Sequence, residues 1–195
     1  MIEDIEGIIL DRLLRNEVIA EEDIEIYLYG IISILEYVFN IVPAIIISIV
    51  LGQWWQGLLF TFVFATLRTY AGGYHSTTMA KCFVLSMGVF TAALLVMKYL
   101  VIPDFICWGL LLMSSFVIVL MTPVEAINKA INEIERKLYR KRSIIIWGIE
   151  TVVAVVLMLF GYNEIAICII LAMVVVSLSM IAGYIKLQSY SKPPL

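Results

Sequence analysis

Residues 164–185 read EIAICIILAMVVVSLSMIAGYI. The only charge in this run is Glu164, at its first position. A helix that crosses the hydrocarbon core of a bilayer needs about 20 mostly apolar residues, and this run supplies them without a break. Moving outward, five further stretches carry the same signal: about Ile26–Leu51, Trp54–Leu67, Cys82–Val101, Asp104–Met121 and Ser143–Phe160. The first is interrupted by Glu36, Asn40 and Pro43. The second is short, and is expected to be either a tilted span or a re-entrant segment leading directly into the loop that follows. The sequence therefore predicts an all-α, polytopic membrane protein with about six transmembrane helices.

Composition agrees. Of 195 residues, 63% are hydrophobic and only 15% charged, with a mean hydropathy of +1.02. Soluble domains are about 45–50% apolar and about 25% charged. One soluble core could not bury this excess, because roughly a third of the unfolded surface of such a chain would remain in water. A soluble enzyme, a disordered chain and a nucleic-acid binder are all excluded as classes, so no nucleic-acid partner is expected. With no internal repeat and no Pro/Gly linker, residues 1–195 read as one membrane domain, its bundle spanning 26–185.

The net charge of −3 conceals a strong asymmetry. Nine of the 16 acidic residues fall between Glu3 and Glu25. Six of the 13 basic residues fall between Lys129 and Arg142. Within residues 1–22, Ile2, Ile5, Ile9 and Leu13 recur at helical spacing among Glu3, Asp4, Glu6 and Asp11, which predicts an amphipathic helix at the membrane surface or on the protein's own cytoplasmic face. Its acidic opening is not that of a secretory signal. Arg68 and Lys81 flank the loop after the second segment, the basic cluster fills the 122–142 loop, and Lys186 and Lys192 follow the sixth segment. Cytoplasmic loops are enriched in Lys and Arg, so both termini and these loops are expected inside, with the short connections at 52–53, 102–104 and 161–163 outside. Lys98 is the one exception. The stretch Pro123–Arg142 reads as a separate cytoplasmic helix with an Ile127, Ile131, Ile134, Leu138 stripe. It is either a topology determinant or a basic face that docks an acidic peptide or anionic lipid.

The chemistry-bearing string is Arg68-Thr-Tyr-Ala-Gly72-Gly73-Tyr-His75-Ser-Thr-Thr-Met-Ala-Lys-Cys82. It holds the only histidine and one of three cysteines. A thiolate is a nucleophile, and an imidazole can activate it as a base or as the cation of an ion pair. Ser76, Thr77 or Thr78 could cap the third helix, placing Cys82 where the helix dipole favours the thiolate. In one continuous helix His75 and Cys82 would be separated by about 10 Å of rise, too far for proton transfer. A working pair thus requires His75 on a loop that folds back, for which Gly72 and Gly73 give the freedom. Their amides could also cradle an oxyanion. The alternative is a surface histidine and an inert cysteine. Cys107 and Cys168 lie in apolar runs and read as buried packing residues. Glu36, with Asn40 one turn on, could orient His75, pair with Arg68, bind substrate or stay protonated. Glu150 is expected to pair with the basic end of its segment. No CxxC or second histidine supports a metal site, and no cofactor is implied.

Arg68, Ala71-Gly72-Gly73, His75, Cys82 and Leu85-Ser86 together resemble the signature of the accessory gene regulator B (AgrB) family. The resemblance extends to the N-terminal helix, the Thr122-Pro123-Val124-Glu125 turn, Asn128-Lys129 and the basic loop. It implies a membrane cysteine endopeptidase of Gram-positive bacteria that processes the precursor of a cyclic autoinducing peptide for quorum sensing. In that reading Cys82 is the nucleophile and His75 the general base. Gly72 and Gly73 set oxyanion or loop geometry, while Arg68, Glu36, Asn40 and Lys129 support the site or bind substrate. The implied partners are a small AgrD-like precursor and membrane lipid, with a homodimer expected for so small an enzyme. The place is the bacterial cell membrane, with the site on its cytoplasmic side. Rival readings are a cysteine acyltransferase, an unrelated intramembrane protease, and a non-catalytic peptide transporter or chaperone.

Overall fold

A computed structural model describes residues 39–74, 79–124 and 132–191. The amphipathic segment 1–22, Glu36, His75 with the capping candidates Ser76, Thr77 and Thr78, and Lys129 lie outside the described residues. Contacts divide the chain into two compact units, Met1–Pro43 and Ala44–Leu195. Among the described residues there are six helices and no strand: α1 (Phe39–Val50), α2 (Trp54–Ala71), α3 (Met79–Tyr99), α4 (Asp104–Met121), α5 (Glu133–Leu159) and α6 (Asn163–Ser191). Four of them, α3 to α6, are long and apolar enough to cross a membrane.

The turns show why the chain reverses where it does. After α1, Gly52 takes φ 71°, its N–H donates to Ile49 O at 2.9 Å and the next N–H, on Gln53, donates to Ser48 O at 2.7 Å. After α5, Gly161 takes φ 80°, with Gly161 N–H on Met158 O at 3.2 Å and Tyr162 N–H on Leu157 O at 2.8 Å. Both are Schellman motifs, in which a left-handed glycine lets the last carbonyls of a helix find donors. Lys98 explains its own exceptional position here. Its Nζ donates to Leu51 O at 2.8 Å, closing the end of α1. At the same end of the bundle Asn163 Nδ2 donates to Asp104 Oδ1 at 3.2 Å.

The core is built around α6. In its apolar window 56% of residues are buried in protein, against 17–22% for α3, α4 and α5. It packs on α2, α4 and α5, and more lightly on α3, through Ala166, Cys168, Ile170, Ala172, Met173, Val176 and Met180. The other spans keep Val84, Phe105, Leu112, Phe116 and Val152 exposed, an outer surface suited to lipid tails rather than water. Several hydroxyls within the helices donate to carbonyls one turn back, as Ser48 does to Ala44 O and Thr61 to Gly57 O. That satisfies them without water.

The second segment is a continuous helix, 18 residues long, running from the Gly52 turn to Gly72. One expectation changes: the described part of the basic stretch, from Asn132 to Arg142, is not a separate helix, while Ile127 and Ile131 of its stripe lie outside the described residues. Asn132 and Glu135 form a reciprocal capping box, so α5 begins at Glu133 and runs 27 residues without a break. Its first turns carry Arg136, Lys137, Arg140, Lys141 and Arg142, and the same helix then becomes the span. No Gly or Pro separates the two parts, so nothing ends the helix at Ser143.

Gly57 marks the tightest crossing between α1 and α2. A Cβ there would stand 1.9 Å from Ser48 Oγ and 2.7 Å from Ser48 Cβ. Gly148 on α5 has open space. Gly57→Ala is expected to lower the unfolding free energy in detergent by about 1–3 kcal/mol, the usual cost of overpacking, and Gly148→Ala to leave it nearly unchanged.

Candidate active site

The last turn of α2 carries Arg68, and α2 ends at Ala71 against the diglycine. Gly72 takes φ 73° and Gly73 φ 134°, conformations that L side chains rarely adopt. Crowding adds a second reason for glycine. The chain leaving α4 lies beside Gly72 in a parallel bridge with Val124, fixed by Val124 N–H on Ala71 O at 2.9 Å. A Cβ on Gly72 would sit 2.0 Å from Val124 O. One on Gly73 would sit 2.0 Å from Arg68 Nη1 and 3.0 Å from Ser179 Oγ.

Tyr74, the residue before His75, is held at both backbone groups. Its N–H donates to Ser179 O at 2.8 Å, with Ser179 Oγ a second acceptor at 3.3 Å. Its carbonyl accepts from Arg68 Nη2. Its ring lies under Lys186 Nζ, 4.9 Å from the centroid, a cation–π distance. Gly183, one turn beyond Ser179 on α6, lies against the Gly73–Tyr74 peptide. A Cβ on Gly183 would be 2.6 Å from Gly73 C and 2.7 Å from Tyr74 N.

Arg68 Nη1 is buried, and among the described residues it has no hydrogen-bond partner. The guanidinium lies within electrostatic reach of Cys82. Cys82 is the fourth residue of α3 as described and is a half-buried free thiol. Cys107 and Cys168 are 3% and 0% exposed, and the Cys168 thiol donates to Gln56 O at 3.3 Å. The structure thus brings Arg68, Gly72, Gly73 and Cys82 to one end of the bundle. The basic start of α5 is at that end too: Tyr139 packs on Tyr70 with ring centroids 6.1 Å apart, and Arg142 lies over the Tyr70 ring at 5.5 Å. Asn40 lies in α1, in the N-terminal unit.

Glu150 departs from expectation. It does not reach the basic end of α5 but accepts from Thr66 Oγ1 of α2 at 3.0 Å. Ser179 and Gly183 lie outside the motif yet hold its loop. Their signal was present as Ser179-Met-Ile-Ala-Gly183, the spacing of small residues that lets another backbone approach a membrane helix.

The model of the family described as accessory gene regulator B matches residues 7–181, a span that includes Arg68, the diglycine, His75 and Cys82. The chain belongs to the accessory gene regulator B family. Two curated relatives, both provisionally named, come from Clostridium perfringens. The AgrB-like protein 2 of strain 13 / Type A is 26% identical over 172 residues, covering 84% of this chain and 80% of that protein. The AgrB-like protein of strain SM101 / Type A is 25% identical over 176 residues, with the same coverage of each. No solved structure matches the chain. Within this AgrB-family chain, α6 supplies the loop's supports from beyond the motif itself.

The contact between Gly73 and Arg68 gives a prediction. Gly52→Ala, at a left-handed turn with open space around it, should cost only backbone strain, roughly 1–3 kcal/mol. Gly73→Ala should cost clearly more, because the methyl must also displace the guanidinium. In an Arg68→Ala background most of that excess should vanish from chemical unfolding in detergent, as a double-mutant cycle requires for directly coupled residues. Additive costs would show that Arg68 does not press on Gly73.

Proposed function

We propose that this chain is a cysteine endopeptidase that cleaves a small AgrD-like precursor within the bacterial membrane and closes the released end into a thiolactone or lactone autoinducing peptide. The observation that carries the reading is the separation of the three free thiols. Cys107 and Cys168 are buried in spans, whereas Cys82 is only half-buried, at the same end of the bundle as Arg68 and the clamped diglycine loop that leads to His75.

In this mechanism the Cys82 thiolate attacks a peptide carbonyl in the C-terminal part of the precursor. The carbonyl oxygen takes the negative charge, and Gly72 and Gly73 shape the loop around it. The C–N bond breaks, His75 gives a proton to the departing amine, and an acyl thioester remains on Cys82. A cysteine thiol or serine hydroxyl within the bound precursor then attacks the thioester, giving its proton to His75. The ring closes and the Cys82 thiolate is freed. An amide is more stable than a thioester, so the first step runs uphill and depends on removal of the leaving fragment. Water must also stay away from the thioester, which a site walled by membrane helices favours.

Charge gives the substrate its orientation. Arg136, Lys137, Arg140, Lys141 and Arg142 lie at the motif's end of the bundle, suited to an acidic C-terminal tail of the precursor, to anionic lipid and to a cytoplasmic location. Lys129, Glu36 and Asn40 are proposed as supporting residues and a homodimer as the working unit.

Cys82→Ser and His75→Ala should each abolish precursor cleavage in liposomes while the protein still inserts. Cys107→Ala and Cys168→Ala should keep it. Peptide uptake that survives loss of Cys82 would instead establish a transporter. In a cysteine-free background, a cysteine at Asn132 should resist an impermeant maleimide added outside intact cells and one at Tyr162 should react. The reverse pattern would invert the topology.

A further inference from the structure

We propose that Ser179, Gly183 and Lys186 of α6 form a cradle for Tyr74 and act as positioning residues for the Cys–His pair, by fixing the peptide that leads into His75. This rests on the Cys–His reading above and adds the part of the fold that enforces it. The three residues fall at i, i+4 and i+7, one face of the helix. Each meets a different part of the same loop residue. Ser179 takes the Tyr74 N–H at 2.8 Å, Gly183 lies against the peptide before it, and Lys186 covers the ring. Arg68 takes the remaining backbone group, the Tyr74 carbonyl.

The consequence for His75 is geometric. The diglycine gives the loop wide conformational freedom, which by itself would leave the following side chain poorly aimed. Fixing both backbone groups of Tyr74 sets the direction in which the chain enters residue 75. Gly183 is specific to this task. Gly88, Gly109 and Gly148, also within helices, have open space for a methyl, whereas a Cβ on Gly183 would overlap Gly73 C at 2.6 Å, Tyr74 N at 2.7 Å and Gly73 O at 2.9 Å. The obstacle is backbone, not the end of a flexible side chain, so the loop itself must move. The cradle also lies on the most deeply packed helix of the bundle, a rigid support of the kind that precise catalytic geometry needs.

The test uses Gly183→Ala, with Gly109→Ala as a matched control. Misplacing a catalytic group by about 1 Å can cost on the order of a hundredfold, so kcat for precursor cleavage should fall roughly ten- to hundredfold. KM should stay within about threefold, because the acidic tail is bound elsewhere. A second readout needs no precursor: the pH dependence of Cys82 alkylation by iodoacetamide, which reports the thiolate. His75→Ala should shift that profile to higher pH, and Gly183→Ala should reproduce the shift, while Gly109→Ala should match the parent. If Gly183→Ala does not fold, Lys186→Ala, which removes the cation over the Tyr74 ring, should give the same direction of change. A parental profile and kcat in a folded Gly183→Ala, or in its substitute Lys186→Ala, overturns the cradle while leaving the Cys–His pair intact. A parental profile and undiminished cleavage in His75→Ala overturns both.

Discussion

The backbone of one residue, Tyr74, joins the separate parts of this site. Its N–H is held by α6 and its carbonyl by the guanidinium of α2, and the glycines on both sides of the contact have no room for a methyl group. A loop between two membrane helices would ordinarily be free to wander, since its backbone groups can be satisfied by water at the interface. Here the polar groups of Tyr74 are spent inside the protein. Just before it, Gly72 and Gly73 take left-handed conformations, and Val124 N–H on Ala71 O ties the chain after α4 to the end of α2.

This arrangement suits the chemistry proposed for it. Thioester formation from an amide is uphill, and the acyl group must wait for an internal nucleophile without meeting water. Both conditions favour a site with small tolerances. The central position of α6 supplies them: a helix packed on its neighbours along most of its apolar length cannot shift without disturbing the core. Arg68 serves two ends at once. One nitrogen anchors the loop, while the other is a buried donor within electrostatic reach of Cys82. An arginine can do this because its planar fork presents several donors in fixed directions.

Much of this was legible in the sequence, for physical reasons that differ by element. The apolar helices were legible because a bilayer demands length and apolarity: of six expected spans, four appear among the described residues as helices long and apolar enough to cross a membrane, and the stretch expected at about 104–121 matches α4. Cys107 and Cys168 were legible as packing residues because their neighbours are uniformly apolar. The boundary of α5 was misplaced because the switch from cations to an apolar run at Ser143 looks like the end of a cytoplasmic helix and the start of a span, whereas the start signal is the Asn132–Glu135 capping box and nothing stops the helix at Ser143. Glu150 was misassigned because charge suggested a cation nearby, whereas the facing helix offered a hydroxyl. The role of α6 was hidden because contacts made 105 residues apart, as Tyr74 with Ser179, leave only a spacing of small residues as their trace.

Everything functional in this account passes through one covalent state, an acyl group on Cys82. The most direct measurement is intact-protein mass spectrometry of the purified chain in liposomes, quenched in acid after mixing with a precursor whose internal cysteine or serine is replaced by alanine. Such a precursor can acylate the enzyme but cannot close a ring. The account predicts an adduct of the mass of the precursor less its leaving fragment, removed by neutral hydroxylamine as a thioester is and mapped by proteolysis to Cys82. Cleavage of the precursor with no adduct in the parent protein, or an adduct that persists in Cys82→Ala, would contradict it.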